Sequence, residues 1–198
     1  HTAAMQQLER RIIARFEKIG VLMTNTCINY QTILPPLRGE HIAMGDTGVT
    51  IYCNSVLGAR TNFEGGPSAL AAGLTGRTPR YGYHLDSGRR GTLRIAVDVQ
   101  LKGLAEWGAL GGVVGRIARS YWSVPVIDGL CDPPGSDALK HFGAALASFG
   151  SVAMYHIPGV TAECRCVEDA FDGSAPEPTR ITAADLAALI KGDGADGE

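Results

Sequence analysis

The chain has 198 residues, of which 45% are hydrophobic and 19% are charged, and its formal net charge is −2. This composition is typical of a soluble globular protein, and a chain of this length can bury roughly 70% of the surface that it exposes when unfolded. Acidic and basic residues are interspersed, so no basic face can follow a phosphate backbone. A nucleic-acid partner is therefore not expected.

The apolar segments are too short for a membrane. The longest, residues 49–53 and 124–127, fall far below the ~20 residues needed to cross a bilayer, and no signal-peptide pattern opens the chain. We therefore expect a cytoplasmic protein without a membrane partner. The five cysteines are an odd number in a medium-sized chain, which argues against a disulfide framework.

Apolar residues at helical spacing predict seven helices. In chain order they cover residues 3–19, 47–57, 67–75, 101–107, 110–121, 136–149 and 182–190. Asp46 or Thr47 is a suitable cap for the second helix, and Gly58 and Gly76 are suitable stops for the second and third. Thr182 opens a capping-box variant at the last helix.

Short apolar runs between these helices predict six strands. They cover residues 21–24, 42–44, 81–85, 93–99, 124–127 and 152–157. Strands that alternate with helices and are continuously apolar are typical of a parallel sheet covered on both faces. We expect an α/β protein with a three-layer α/β/α sandwich, one domain over residues 1–191 and a disordered tail over residues 192–198.

Ligands of such sheets bind beyond the carboxyl ends of the strands. Cys27, His84 with Asp86, and His156 each follow or end a predicted strand. These side chains are therefore candidates for a functional site. For each histidine the alternative is a structural role, which is common for isolated histidines.

Residues 54–79, NSVLGARTNFEGGPSALAAGLTGRTP, contain five glycines. A glycine-rich backbone before a helix N-terminus could bind an anion, but the spacing matches neither common nucleotide-binding loop. Alternatively the glycines only satisfy tight turns or close packing.

A third interpretation comes from resemblance to a known family. Residues 39–85, together with TNTCINYQ at residues 24–31, resemble the catalytic domain of the aconitase X family. The resemblance continues through VPVIDGL at residues 124–130 and through residues 137–163, and more weakly through residues 180–189. It thus covers most of the chain.

The resemblance implies an aconitase-like fold and a hydro-lyase that uses an iron–sulfur cluster, [2Fe–2S] or [4Fe–4S], as a Lewis acid. Family activities include dehydration of cis-3-hydroxy-L-proline and of mevalonate 5-phosphate, both small hydroxy acids. Asp46-Thr47-Gly48 and Phe63 favour the hydroxyproline branch, and the scarcity of lysine near residues 54–79 weakly disfavours the phosphorylated substrate. The alternatives are mevalonate 5-phosphate dehydratase and a non-catalytic binding domain of the same fold.

The resemblance places Cys27 at a cluster-ligand position, the one ligand expected within this chain. A thiolate in a polar turn is a suitable iron ligand. Cys53 and Cys164 stand where the family has small residues, so we interpret them as packing residues. The other ligands, the catalytic base and a swivel domain or small subunit are expected outside this chain, which would be an inactive internal fragment.

Arg60 is the first candidate for binding the substrate carboxylate. A guanidinium group can bind a carboxylate through two parallel hydrogen bonds, and the small neighbours Gly58 and Ala59 leave room for it. The alternative is a structural ion pair, for example with Glu64. Further hydrogen-bonding candidates around the substrate are Asn54, Ser55, Thr61, Asn62 and His41, each of which could instead serve the fold.

Overall fold

The computed structural model describes residues 2–192 and divides into two compact units, His1–Pro35 and Pro36–Glu198. None of the helices in the described residues is long and apolar enough to cross a bilayer. Of the tail predicted to be disordered, residues 193–198 lie outside the described residues.

The first unit contains helices α1 (Ala3–Lys18) and α2 (Asn29–Thr32). Thr2 caps α1, because its hydroxyl oxygen accepts a hydrogen bond from the backbone N–H of Met5. The predicted first helix is therefore confirmed to within a residue. The predicted strand at residues 21–24 is wrong: the segment is irregular, and no strand to pair with it exists in the described part of this unit.

The second unit is an α/β structure. Its helices are α3 (Thr47–Tyr52), α4 (Gly66–Thr75), α5 (Leu104–Ala118), α6 (Ser136–Gly150) and α7 (Ala183–Lys191). Its strands are β1 (Leu93–Val97), β2 (Pro125–Asp128) and β3 (Thr179–Ile181). The three strands form a parallel sheet in the order β2-β1-β3, with Ile95 of β1 opposite Ile127 and Thr179. The predicted α/β class and parallel sheet are confirmed.

The predicted strand at residues 152–157 is fully buried but extends the sheet at one point only. His156 forms a single parallel bridge with β2, in which its N–H donates to the carbonyl of Pro125 at 2.9 Å. Elsewhere in this segment the backbone groups form hydrogen bonds with side chains: Asn54 donates to the carbonyl of Ala153, and Ser55 accepts from the N–H of Tyr155. These bonds replace those of a regular strand.

Helices α5 and α6 pack closely through glycines. The two helices predicted at residues 101–107 and 110–121 are one helix, α5, whose glycines are contact points rather than breaks. A Cβ atom at Gly111 would lie 2.4 Å from the backbone oxygen of Phe142 in α6. The fully buried side chains of Leu110 and Leu146 complete the interface.

Replacing a contact glycine should therefore destabilise the fold. We expect Gly111→Ala to lower the free energy of unfolding by about 1–3 kcal/mol, because the added methyl group overlaps backbone of α6. The control is Gly73→Ala in α4, where a Cβ meets nothing within 4 Å and helix propensity should add about 0.5–1 kcal/mol. Denaturant unfolding measures both; a stabilised Gly111→Ala variant would contradict the close packing.

Candidate active site in an arginine-lined cavity

The glycine-rich motif begins as a helix and then widens. Asp46 caps α3 by accepting a hydrogen bond from the N–H of Val49 at 3.1 Å, and the helix continues as a π-helical turn, Cys53–Leu57. Gly58 ends the turn in the left-handed conformation (φ 69°). A Cβ at Gly58 would lie 2.7 Å from the Cβ of Ala162, so the stop predicted here also needs a glycine for space.

After Gly58 the chain pairs with the segment that precedes α3. Arg60 forms a parallel bridge with His41, and Phe63 forms another with Met44. The N–H of Arg60 donates to the carbonyl of Glu40 at 2.8 Å. No regular strand forms at residues 42–44; two isolated bridges, at His41 and Met44, stand in its place, and the first of them fixes the backbone of Arg60.

Asn54 is completely buried and its side-chain amide is fully used by the protein. The amide nitrogen donates to the carbonyls of Thr61 (2.9 Å) and Ala153 (3.0 Å). The amide oxygen accepts from the N–H of Thr61 (3.0 Å) and from Arg89 (3.3 Å). Asn54 therefore ties together three segments that are distant in the sequence.

The neighbouring polar candidates also have protein partners. The hydroxyl of Thr61 donates to the carbonyl of Asn62 and accepts from the N–H of Met44. The side-chain oxygen of Asn62 accepts from the N–H of Tyr83 and from the hydroxyl of Tyr121. With Ser55, whose hydroxyl binds the segment at residues 152–157, these buried side chains form the frame of the motif.

The segment after this frame is a turn rather than the strand predicted at residues 81–85. Gly82–His84 forms a 3₁₀ helix, and Gly82 has a φ of 59°. A Cβ at Gly82 would lie 2.3 Å from the side-chain oxygen of Asn62, so only glycine fits beside it. Tyr83 is fully buried in this turn, whereas Tyr81 is exposed, so the apolar run reflects partial burial of a turn and not of a strand.

Arg89 is a buried cation that the sequence did not identify. It is 3% exposed, and it donates to a carboxylate oxygen of Glu163 (2.7 Å), the carbonyl of Tyr83 (3.1 Å) and the carbonyl of Asn54 (2.9 Å). Burial lowers the pKa of Arg89, while Glu163 opposes this shift. Charged residues are almost never fully buried unless paired, and the ion-pair partner Glu163 is distant from Arg89 in the sequence, so no local pattern indicated this role.

A cavity of about 450 Å³ lies beside this network, and we call it the arginine cavity. Four arginines line it: Arg38, Arg60, Arg89 and Arg90. Ion pairs with Asp86, Glu163 and Asp172 engage three of them. Arg38 forms no ion pair with any residue that the structure describes. The cavity is thus a concave surface with several guanidinium groups and is suited to an anion.

The side chain of Arg60 is held at one edge of this cavity. It donates to the carbonyl of His84 at 3.0 Å and forms an ion pair with Asp86, whose side chain is 78% exposed. This partner is Asp86 and not Glu64, the structural partner considered from the sequence. Hydrogen bonding to Arg60 lowers the pKa of Asp86.

His41 lies away from the arginine cavity. Its ring stacks on that of His84, with the two Nδ1 atoms 2.8 Å apart, and both line a separate open basin of about 620 Å³ with Arg77 and Arg80. The structure therefore separates His41 from the side chain of Arg60, although their backbones are paired. Of the six predicted substrate-binding residues, only Arg60 lines the arginine cavity.

Cys27 is exposed and belongs to the first unit. Within residues 2–192, no three His, Cys, Asp or Glu side chains are grouped so that they could hold a metal ion. The described residues therefore do not fit a complete iron–sulfur site. Cys53 and Cys164 are buried, and burial raises the pKa of each thiol to about 12, which disfavours the thiolate that binds iron.

The buried histidines predict that the fold is sensitive to acid. Burial lowers the pKa of both His84 and His156 in the folded state, whereas the unfolded chain takes up protons near pH ~6.5. The stabilisation that the neutral, buried histidines contribute is complete above that pH and is lost as the pH falls toward the folded-state pKa.

The variant His156→Gln tests this, because it removes one of the titrating groups. When the pH is lowered from ~7.5 to ~5.5, we expect the melting temperature of the unchanged protein to fall more than that of His156→Gln. Equal falls in the two proteins, measured by thermal unfolding, would contradict this.

The sequence of the chain matches two family descriptions. "Aconitase X first domain" matches residues 1–87, and "Aconitase X second domain" matches residues 91–191.

Curated relatives carry two names. The chain is 48% identical over 153 residues to the phosphomevalonate dehydratase large subunit of Methanothermobacter thermautotrophicus, a match that covers 77% of this chain and 37% of the relative. It is 35% identical over 181 residues to the cis-3-hydroxy-L-proline dehydratase of Pseudomonas aeruginosa, covering 89% of this chain and 30% of the relative.

A solved structure agrees with these relatives. The crystal structure of Thermococcus kodakaraensis aconitase X in its holo form matches with a TM-score of 0.86 and 35% identity, over 97% of this chain and 48% of that chain. The present chain thus spans less than half the length of these proteins. The family matches, together with this structural likeness, establish that the chain belongs to the aconitase X family.

Proposed function

We propose that this chain is part of a hydro-lyase that removes water from a small 3-hydroxy acid. Relatives of the chain are named dehydratases, which supports this reaction class. The observation that carries the proposal is the position of Arg60: the motif that resembles the family fixes its backbone, and its guanidinium group lines the arginine cavity. The cavity is then the binding site for the anionic part of the substrate.

Arg60 suits the chemistry of this reaction. A 3-hydroxy acid loses a proton from C2 and its hydroxyl group from C3, which gives the 2-enoate and water, and negative charge develops on the carboxylate as the proton leaves. A guanidinium group bound to that carboxylate stabilises this charge. Asp86 is exposed, so its ion pair is weakly held, and a substrate carboxylate can replace it on Arg60.

Mevalonate 5-phosphate is our first candidate substrate. It carries a carboxylate and a phosphate, and the cavity offers Arg38, Arg60 and Arg90 in addition to the buried and paired Arg89, which is enough to bind two anionic groups. The scarcity of lysine near the motif is therefore no objection to a phosphorylated substrate, because the cavity receives Arg38, Arg89 and Arg90 from outside the motif. The identity of 48% to a phosphomevalonate dehydratase large subunit points the same way.

Cis-3-hydroxy-L-proline, preferred from the sequence, is the second candidate. Phe63 and Asp46-Thr47-Gly48 favoured it, and relatives at 37% and 35% identity bear its name. Asp46, however, caps α3, so the fold alone accounts for an aspartate there. A non-catalytic domain of the same fold is the outcome that would remain if neither compound reacted.

The substrate test uses the complete protein that contains this chain, purified without oxygen. We expect it to consume mevalonate 5-phosphate and release the corresponding enoate, at a higher kcat/KM than for cis-3-hydroxy-L-proline. Turnover of the hydroxyproline alone would keep the hydro-lyase and change its substrate. If neither compound reacted in a protein with an intact visible chromophore, the proposed reaction would be wrong.

We also propose, from the family resemblance, that Cys27 is one ligand of an iron–sulfur cluster. Its exposure in a turn supports this, because its sulfur is accessible. The other ligands, the catalytic base and the swivel domain or small subunit would lie outside this chain; several relatives are named as large subunits, which supports a second subunit. In the complete enzyme the cluster would act as a Lewis acid.

Two serine variants of the complete protein test this ligand. We expect Cys27→Ser to lose most of the visible absorption of the cluster, whereas Cys53→Ser should keep it, because Cys53 is buried in the core. Both variants remove a single sulfur atom, so iron content per protein can be compared directly. Equal retention of absorption and iron in the two variants would rule out Cys27 as a ligand.

A further inference from the structure

His156 has a defined tautomer. Its Nε2 atom lies 2.8 Å from the backbone carbonyl oxygen of Arg89. A carbonyl oxygen can only accept a hydrogen bond, so Nε2 must carry the proton and donate it. In the neutral ring the Nδ1 atom is then an unprotonated acceptor.

This acceptor is buried and unused. His156 is 2% exposed, and its Nδ1 atom has no hydrogen-bond partner among residues 2–192. Burial lowers the pKa of His156; the hydrogen bond to the Arg89 carbonyl and the charge of Glu163 oppose this shift, and the charges of Arg89 and Arg90 add to it, so that the pKa lies below its usual value. Buried polar atoms without a partner are rare in native proteins and call for an explanation.

His156 also lines the arginine cavity. Arginine side chains only donate hydrogen bonds, so they can bind an anion but not the proton of a hydroxyl group. Three carboxylates line the cavity as well, and each forms an ion pair with an arginine: Asp86 with Arg60, Glu163 with Arg89 and Asp169 with Arg165. Among these groups, Nδ1 of His156 is a buried acceptor that has no partner within residues 2–192, so it can accept a hydrogen bond from a hydroxyl group without breaking an ion pair.

We propose that Nδ1 of His156 accepts a hydrogen bond from the hydroxyl group of the substrate and so selects hydroxy acids over their deoxy analogues. This inference rests on the proposed function and deepens it: the ligand class is an anion that also carries a hydroxyl donor. Arg60 binds the carboxylate and His156 orients the hydroxyl group. Because Nδ1 is unprotonated, its role is to position that group and not to supply a proton to it.

The test compares two unreactive ligands on the complete protein. Both are 2,2-difluoro analogues of mevalonate 5-phosphate, which have no C2 proton to lose; one keeps the 3-hydroxyl group and the other has hydrogen in its place. We expect calorimetry to show the hydroxylated ligand binding about tenfold more tightly, the scale of one hydrogen bond. If turnover identifies the hydroxyproline as substrate, the two ligands compared are cis-3-hydroxy-L-proline and L-proline. Both are then measured on protein that lacks the cluster, so that no turnover occurs.

Two variants separate the proposed role from a structural one. In His156→Gln the longer amide can still donate to the carbonyl of Arg89 but leaves no acceptor at Nδ1, so the affinity ratio should fall to about one. In His156→Asn the amide oxygen can occupy the position of Nδ1 but cannot reach Arg89, so the ratio should be kept. A purely structural histidine predicts the same ratio in both variants, which would overturn the proposal.

Nitrogen NMR of the unchanged protein gives a result that does not depend on the variants folding. We expect His156 to show a protonated Nε2 and an unprotonated Nδ1, and the Nδ1 resonance to shift when the hydroxylated ligand binds but not when the deoxy ligand does. A protonated Nδ1, or equal shifts with both ligands, would contradict the inference. If the enzyme turns over its substrate while these shifts are equal, the inference fails and the proposed function stands.

Discussion

The buried side chain of Asn54 is the interaction on which the candidate site depends. Its amide binds both backbone groups of Thr61, the carbonyl of Ala153 and the guanidinium of Arg89. One residue thus connects the π-helical turn, the segment that carries Arg60 and the segment that carries His156. The side-chain amide has two donors and two acceptor positions, and these hydrogen bonds use all of them.

Burial of Arg89 follows from the same network. A buried cation is stable only when its charge and its donors are satisfied, and here Glu163, Tyr83 and Asn54 supply the partners. Because Arg89 is fixed, its carbonyl also fixes the proton on Nε2 of His156. The frame that holds the fold together therefore also sets the donors and the acceptor that the arginine cavity presents to a ligand.

Local signals predicted the helices well. The cap at Asp46, the stops at Gly58 and Gly76 and the capping box at Thr182 depend only on nearby backbone, so the sequence contains them. The segments at residues 81–85 and 152–157 could not be predicted in this way, since their backbone binds side chains from distant parts of the chain.

The site shows the same limit. The motif indicated Arg60 first, and Arg60 lines the cavity, but it also offered as binding candidates the buried Asn54, Ser55, Thr61 and Asn62. A polar residue in a frame and one in a binding site have the same local pattern. Only the fold separates them, by showing which polar atoms already have partners.

The central claim is that the arginine cavity binds the anionic part of the substrate. The most direct measurement is a crystal structure of the complete protein with the unreactive hydroxylated ligand bound. The account predicts the carboxylate of the ligand within hydrogen-bonding distance of the Arg60 guanidinium group, in place of Asp86. A ligand bound outside the cavity, with the ion pair between Arg60 and Asp86 intact, would contradict it.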